Sequence, residues 1–252
     1  MQEIAGGWDS RAFLVDDMWL EREPLRIEIR PKLLTETRLL PWLAPQLPVL
    51  VPLPRVAQEE PLRVRHRLIP GTAAALLTSD QGAMLGRFFR TLHSVEGAVA
   101  VEKGVPTREV AWDEHLQHLN RFRSEVRPRV PRPLQGLAES LLDRLSQPPP
   151  ASVLVHGDVG PEHILLADGA ISGVIDWSDA HIGDPALDLA WLLHGSSAGE
   201  SVVRAYDADA VLRERARDWH LLGPWHEVVY GLDIGGATYV ESGMAGVLAR
   251  LT

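Results

Sequence analysis

The feature that most constrains this chain is the stretch 153–189, which reads VLVHGDVGPEHILLADGAISGVIDWSDAHIGDPALDL. A short apolar run leads into His156-Gly157-Asp158, His163 follows, and a tight hairpin then delivers Asp176 at the end of a second apolar run. Two strands therefore aim histidine and carboxylate side chains at one point. Because neighbouring carboxylates repel each other unless a metal ion or a reacting proton lies between them, this convergence predicts a functional site.

Composition narrows the kind of protein that carries this site. The 252 residues include no cysteine, so metal ligands must be oxygen or nitrogen atoms. The net charge of −9 argues against a nucleic-acid partner, which needs a basic surface to displace counterions. No apolar run approaches the roughly 20 residues of a spanning helix, and the N-terminus lacks the basic start and apolar core of a signal peptide. We therefore expect a cytoplasmic protein with no nucleic-acid and no membrane partner.

The order of the predicted elements favours an α+β fold with two lobes. Residues 1–69 contain a hairpin around Asp16-Asp17, a helix over 30–43 and a strand over 62–68, which predicts a small antiparallel sheet lobe. Residues 70–252 are mainly helical. In this larger lobe we expect a cap at Ser79 or Asp80, a polar loop after Ser94 and a break between two helices next to Pro224.

The convergent residues have the chemistry that phosphoryl transfer needs. A carboxylate within reach of a substrate hydroxyl can orient it and accept its proton, and Asp158 is the candidate for this task. Two further groups must hold a divalent metal ion against the phosphates. Asp176 supplies the oxygen ligand that Mg²⁺ prefers, and His163 is the second candidate.

The motifs, taken together, resemble a known family. The patterns His-Gly-Asp-x-x-Pro-x-His at 156–163, Val-Ile-Asp-Trp at 174–177 and Gly-Asp-Pro-x-x-Asp-Leu at 183–189 are similar to the catalytic core of the aminoglycoside phosphotransferases, relatives of protein kinases. The resemblance extends over the first lobe and so over nearly the whole chain. It implies a two-lobed protein-kinase-like fold with a nucleoside triphosphate, ATP or GTP, bound in the cleft between the lobes.

The resemblance also implies roles for residues of the second lobe. Asp158 corresponds to the catalytic aspartate, and His156 to the loop histidine that supports it. Asp176 corresponds to the metal-binding aspartate, and His163 stands where most members have a metal-binding asparagine. Asp188 resembles a buried aspartate that steadies the catalytic loop. An imidazole is a softer ligand than an amide oxygen, so Mn²⁺ is possible beside Mg²⁺; macrolide phosphotransferases carry the same histidine.

In the first lobe the resemblance implies a nucleotide site. The residues Gly7-Trp8-Asp9-Ser10 are similar to the phosphate-covering turn, so Ser10 is expected to contact the nucleotide. Arg22 occupies the place of the phosphate-contacting cation, and Glu36 that of its partner on the helix.

Three hypotheses follow from the sequence. The leading one is a small-molecule kinase that moves the γ-phosphoryl group of ATP or GTP to a hydroxyl of an antibiotic, aminoglycoside-like or macrolide-like, or of a metabolite. The second is a degenerate kinase-like protein that binds nucleotide or a partner without turnover. The third is a metal-dependent hydrolase, whose single ion would be held by four residues: His156, Asp158, His163 and Asp176.

Two further groups of residues have simpler interpretations. His115 and His118 are three residues apart on a predicted helix and have the spacing of metal ligands, but a solvated helix face is the favoured interpretation. A basic cluster follows, for which a solvated face is again favoured and contact with an anionic substrate group is the alternative. Its members are Arg121, Arg123, Arg127, Arg129 and Arg132.

Overall fold

A computed structural model describes residues 2–4 and 9–252 of the chain. The N-terminal part is an antiparallel sheet with strand order β1-β2-β3-β5-β4. Its strands are β1 (Gln2–Ile4), β2 (Ser10–Val15), β3 (Trp19–Pro24), β4 (Arg55–Gln58) and β5 (Arg63–Arg67). The predicted hairpin joins β2 to β3, and both Asp16 and Asp17 adopt positive φ angles in its turn. Aspartate tolerates this conformation better than most residues, which explains their place there.

Helix α1 (Arg30–Leu43) packs against both the N-terminal sheet and the larger part of the protein. Leu33 near its start packs with Leu62 and Val64 in a small core under the sheet. Leu39, Leu40 and Leu43 near its end belong to the main hydrophobic core of the larger part. A helix shared between two cores fixes the distance between them. The division of the chain at residues 69 and 70 stays a prediction.

The larger part contains helices and two small antiparallel sheets. One sheet has the order β6-β8-β9 and the other pairs β10 with β7. The strands are β6 (Thr72–Ala73), β7 (Val153–Val155), β8 (Ile164–Ala167), β9 (Ala170–Val174) and β10 (His181–Gly183). The helices are α2 (Ser79–Leu92), α3 (Gly97–Glu102), α4 (Arg108–Arg121), α5 (Gln135–Leu145), α6 (Pro185–His194), α7 (Gly199–Tyr206), α8 (Ala210–Ile234) and α9 (Ala237–Leu251). The predicted α+β class is confirmed.

Several helix boundaries differ from the prediction. Thr78 caps α2, because its hydroxyl accepts the backbone N–H of Gln81 while the Gln81 side chain accepts the N–H of Thr78. Pro224 does not end a helix but lies inside α8, which continues to Gly235. Gly235 has a φ of 67°, the left-handed conformation that ends many helices. The expected loop after Ser94 contains the short helix α3.

The prediction that His115 and His118 lie on a solvated helix face is wrong for His115 and right for His118. The His115 ring lies between two indoles, with centroid distances of 5.1 Å to Trp112 and 4.7 Å to Trp219. Its Nε2 donates to the carbonyl of Leu145 at 2.9 Å. Burial lowers the pKa of His115 to about 4, although the hydrogen bond to Leu145 opposes the shift. His118, one turn later, is exposed.

The partly buried His115 predicts a pH-dependent stability. The unfolded chain binds a proton at His115 below its ordinary pKa of 6.5, whereas the folded protein does so only near pH 4. Stability is therefore complete above 6.5 and falls as the pH drops toward 4, by about 1–2 kcal/mol between pH 7 and pH 5 for this group. Urea unfolding at both pH values should show a smaller drop for His115→Phe than for the wild type. An equal drop in both proteins would contradict the assignment.

The basic cluster after α4 is largely neutralised by ion pairs. Arg121 contacts Glu125 and Asp233, and Arg123 contacts Glu139 and Asp143. These contacts leave little free positive charge for an anionic substrate group. Among the described residues, no helix has both the length and the apolar composition that crossing a bilayer requires.

Candidate active site

The site begins where β7 ends, at His156. This side chain is fully buried, its ring lies 4.7 Å from that of Trp177, and its Nε2 donates to the carbonyl of Ile175 at 3.0 Å. Its Nδ1 accepts the backbone N–H of Asp158 at 3.3 Å. Both ring nitrogens are therefore used inside the protein. His156 supports the loop from inside the core and is not available as a metal ligand. This excludes the four-residue metal site of the hydrolase hypothesis.

Asp188 on α6 holds the same loop from the other side. Its fully buried carboxylate accepts the backbone N–H groups of His156 at 2.8 Å and Gly157 at 2.9 Å, and the Nε2 of His93 at 3.0 Å. The hydroxyl of Tyr206 bonds to the other nitrogen of His93. Burial raises the pKa of Asp188, but the bond from His93 and the nearby charges lower it more, so the pKa lies below its ordinary value. An anionic aspartate thus anchors the loop, as the family resemblance implies.

Gly157 is the residue that lets the loop turn. Its φ is 89°, and a Cβ added here would lie 2.3 Å from the carbonyl oxygen of Asp179. Both the backbone conformation and the close contact exclude a side chain. The turn therefore brings the segment around Asp179 directly against the loop that carries Asp158 and lets Asp158 leave the core.

Asp158 is accessible to solvent, with a side chain that is 56% exposed. The surrounding protein raises the pKa of Asp158 by desolvation, and the charge of Asp179 raises it further, although His163 lowers it. The net pKa is above its ordinary value. A carboxylate with a raised pKa is better suited to accept a proton than an ordinary surface aspartate.

His163 and Asp176 lie together beside Asp158. The Nδ1 of His163 donates to the backbone carbonyl of Asp158 at 2.8 Å, so Nε2 is the nitrogen that would bind a metal ion after losing its proton. Burial lowers the pKa of His163, but the charges of Asp158 and Asp176 raise it above its ordinary value. This Nε2 is 3.8 Å from Oδ2 of Asp176, close enough for one ion to contact both atoms. Asp176 has a φ of 63°, an unusual conformation that the surrounding hairpin must hold. The two predicted metal ligands are thus brought together.

The surroundings shift the pKa values of the two aspartates of the site in opposite directions. Burial raises the pKa of Asp176, but Arg22 and His163 lower it more, so the net pKa is below its ordinary value. Asp158 shifts in the opposite direction. Opposite shifts in neighbouring carboxylates indicate different tasks, one as a permanent anion and the other as a group that exchanges a proton.

Arg22 on β3 links the sheet to this cluster. Its Nε donates to the hydroxyl of Ser10 at 3.1 Å, and Nη1 donates to both carboxylate oxygens of Glu36 at 2.9 and 3.0 Å. Nη2 donates to Asp176 at 3.1 Å and to the hydroxyl of Ser178 at 2.8 Å. Burial lowers the pKa of Arg22, and the two carboxylates raise it above its ordinary value. All the N–H groups of this guanidinium have partners, so an incoming phosphate would exchange with one of them.

The structure places the predicted N-terminal residues as follows. Glu36 on α1 pairs with Arg22 on β3, as the family resemblance implies. Ser10, expected to contact the nucleotide, is 5% exposed, and its hydroxyl accepts a hydrogen bond from the guanidinium of Arg22. Gly7 and Trp8 of the predicted phosphate-covering turn lie outside the described residues. Asp9 of the same turn lies 2.7 Å from Nη2 of Arg26 and 3.8 Å from Nζ of Lys32.

Sequence reasoning missed Ser178 as a member of the site. Its hydroxyl lies 3.0 Å from Glu36, 3.0 Å from Asp176 and 2.8 Å from Arg22. A hydroxyl has one proton, so Ser178 accepts from Arg22 and donates to one carboxylate at a time. Its only signal in the sequence is its position two residues after Asp176.

The donor set fits a metal ion that shares its shell with phosphate. Within residues 2–4 and 9–252, no group of three or more His, Cys, Asp or Glu side chains is arranged to hold a metal ion. Two protein ligands are few for a resident metal. They suit Mg²⁺, which is usually held by one or two carboxylates together with substrate phosphates and water.

Comparisons with known proteins show the family of the chain. The sequence model of APH, the phosphotransferase enzyme family, matches residues 1–225. The viomycin phosphotransferase of Streptomyces vinaceus is 36% identical over 155 residues, an alignment that covers 58% of this chain and 53% of that protein. The chain thus aligns with about half the length of this relative.

Solved structures match over almost the whole chain. The GDP and kanamycin complex of APH(2")-IIia has a TM-score of 0.86 and 20% identity, covering 99% of this chain and 92% of that one. The macrolide 2′-phosphotransferase MphH from Brachybacterium faecium has a TM-score of 0.76 and 26% identity, covering 98% of this chain and 90% of that one. The first match bears on the fold alone.

Proposed function

Because the chain belongs to APH, the phosphotransferase enzyme family, we propose that it transfers the γ-phosphoryl group of ATP or GTP to a hydroxyl of a small molecule. Antibiotics are the leading acceptor class. The observation that carries this proposal is the placement of Asp158, exposed in the cleft, beside His163, Asp176 and Arg22. The relatives support the acceptor class, since one is a viomycin phosphotransferase and another a macrolide 2′-phosphotransferase.

Asp158 is the proposed base. It accepts the proton of the acceptor hydroxyl as that oxygen forms a bond to the γ-phosphorus. The bond from the γ-phosphorus to the bridging oxygen breaks, and the nucleoside diphosphate leaves. Asp188 and His156 act through the backbone, by holding Asp158 where an acceptor can meet it.

Arg22, His163 and Asp176 form the proposed nucleotide side of the site. Glu36, Ser10 and Ser178 orient the guanidinium of Arg22 by direct hydrogen bonds. His163 and Asp176 would hold Mg²⁺ or Mn²⁺, which neutralises phosphate charge when bound. Positioning and charge neutralisation supply most of the catalysis in phosphoryl transfer, and these residues provide both.

A transfer screen tests the proposed function. Purified protein is incubated with γ-labelled ATP or GTP, with Mg²⁺ or Mn²⁺, and with viomycin, kanamycin, a macrolide and hydroxylated metabolites as acceptors. We expect label on at least one acceptor, only when metal is present. Nucleotide binding without label on any acceptor would instead favour the degenerate kinase-like protein.

Ser178→Ala is expected to weaken nucleotide use. The variant removes a hydrogen bond to Arg22 and one to a carboxylate, and a loss of about 0.5–1 kcal/mol for each bond corresponds to about a 5- to 30-fold rise in the nucleotide KM. We expect kcat to change less than twofold, since Asp158 is untouched. Ser146→Ala, at the end of α5, removes a hydroxyl that bonds only to the Asp143 carbonyl and should change neither constant. Equal effects of the two variants would contradict a role for Ser178.

A further inference from the structure

Helix α1 is held against the larger part of the protein by polar contacts as well as by its leucines. Two of these contacts reach the end of α3. The hydroxyl of Thr35 donates to the carbonyl of Gly104 at 3.2 Å. Nε of Arg38 donates to the carbonyl of Lys103 at 2.9 Å. A third contact, made by Lys32, reaches the site itself.

Lys32 contacts the segment that joins Asp176 to β10. Its Nζ donates to Oδ1 of Asp179 at 2.7 Å. One helical turn further along α1, the carboxylate of Glu36 lies 3.0 Å from the hydroxyl of Ser178. Residues four apart lie on the same face of a helix. One face of α1 therefore contacts two consecutive residues of the segment, directly after the proposed metal ligand.

The same segment packs directly on the loop that carries Asp158. The carbonyl oxygen of Asp179 lies so close to Gly157 that a Cβ there would be 2.3 Å away, and it accepts Nδ1 of His181 at 2.8 Å. His181 begins β10 and is paired with Val155 of β7, the strand that leads into the loop. A displacement of Asp179 would therefore displace the loop as well.

Lys32 also lies near the start of the sheet. Its Nζ is 3.8 Å from Oδ2 of Asp9, which directly precedes β2. Burial lowers the pKa of Lys32, but the charge of Asp179 and its hydrogen bond raise it above its ordinary value. A protonated amine has three N–H donors, so it can serve both carboxylates. Lys32 thus lies between the sheet and the segment that supports the loop.

The ion pair itself is partly exposed, with 40% of the Lys32 side chain and 45% of the Asp179 side chain accessible to solvent. Exposed ion pairs contribute little to folding. Loss of this pair should therefore leave the fold intact and change mainly the relative placement of the parts that it joins.

We propose that Lys32 is a positioning residue for the transfer reaction, and that its ion pair with Asp179 holds α1 against the loop that carries Asp158. Helix α1 carries Glu36, which orients the guanidinium of Arg22. The ion pair therefore fixes the nucleotide side of the site relative to the base. This inference rests on the proposed function for the reaction that it serves.

Lys32→Met removes the charge and keeps most of the length of the side chain. We expect kcat to fall about three- to fivefold with the acceptor that responds in the screen, because the contribution of an exposed ion pair corresponds to at most about fivefold. Lys32→Arg restores the pair and should recover most of the loss. Asp179→Asn should reproduce it, and the double variant should lose no more than either single variant.

Thr35→Val is the matched control on the same helix. It removes a hydrogen bond between α1 and the end of α3, so it should lower the urea midpoint by a similarly small amount and leave kcat unchanged. Equal losses of kcat in Thr35→Val and Lys32→Met would overturn the inference. Losses that add up in the double variant of Lys32 and Asp179 would also overturn it, because the two side chains would then act independently.

A distance measurement separates this inference from the proposed function. The chain has no cysteine, so Glu59→Cys in the turn before β5 and Gln147→Cys after α5, both exposed, give unique sites for spin labels. Lys32→Met should broaden the distribution of distances between the labels, and Thr35→Val should not. An unchanged distribution in Lys32→Met would overturn the inference. If the wild type transfers no phosphate, the proposed function fails while the distances still decide whether Lys32 fixes α1.

Discussion

Asp158→Asn is expected to lower kcat by about 10²- to 10⁴-fold, the contribution typical of a positioned general base. An amide has nearly the size of the carboxylate but does not accept the hydroxyl proton. The backbone N–H of Asp158 still bonds to His156, so the loop keeps its shape. Nucleotide affinity should stay within about twofold of the wild type, because Arg22, His163 and Asp176 are unchanged.

The control for this variant is Asp168→Asn. Asp168 lies exposed in the turn between β8 and β9 at a φ of 50°, a conformation that asparagine also tolerates. It should retain full activity. Steady-state kinetics on both variants make the comparison, and an Asp158→Asn protein that turns over at the wild-type rate would remove Asp158 from the mechanism.

Asp188→Ala is expected to have the largest effect on stability. The change leaves the N–H groups of His156 and Gly157 and the Nε2 of His93 without their acceptor in a fully buried position. Removing one partner from a buried charged network lowers the free energy of unfolding by about 3–5 kcal/mol. Urea denaturation at pH 7 measures this change.

A surface aspartate provides the control for this measurement of the free energy of unfolding. Asp143 is 67% exposed and pairs with Arg123, so Asp143→Ala should lower the free energy of unfolding by less than about 1 kcal/mol. Similar values for the two variants would show that Asp188 does not anchor the loop. Asp188→Asn should lie between them, because an amide oxygen can still accept one of the backbone N–H groups.

The sequence predicts that the side chains of the second-lobe site lie close together, because their spacing along the chain is local. Asp158, His163 and Asp176 lie on one strand-loop-hairpin unit, and the short connections leave few alternative arrangements. The pairing of Arg22 with Glu36 depends on how α1 packs under the sheet. No local pattern specifies that packing, so this part of the site comes from family resemblance and not from spacing.

Other features depend on tertiary contacts that no local pattern encodes. His115 has the spacing of a solvated residue, yet Trp219 from α8 covers it. Pro224 predicts a helix break, but α9 packs against α8 at this point and the helix continues to Gly235. Ser178 becomes part of the site only because Arg22 reaches it from β3. In each case a partner far along the chain decides the outcome.

A single-turnover measurement tests the central proposal most directly. The protein, in excess over γ-labelled ATP, is mixed with metal and with the acceptor that responds in the screen, and the reaction is quenched at short times. We expect the label to move to the acceptor hydroxyl in equal amount with the nucleoside diphosphate formed, and we expect Asp158→Asn to keep the label on bound ATP. Label that stays on the nucleotide in the wild type, or that appears only as free phosphate, would contradict it.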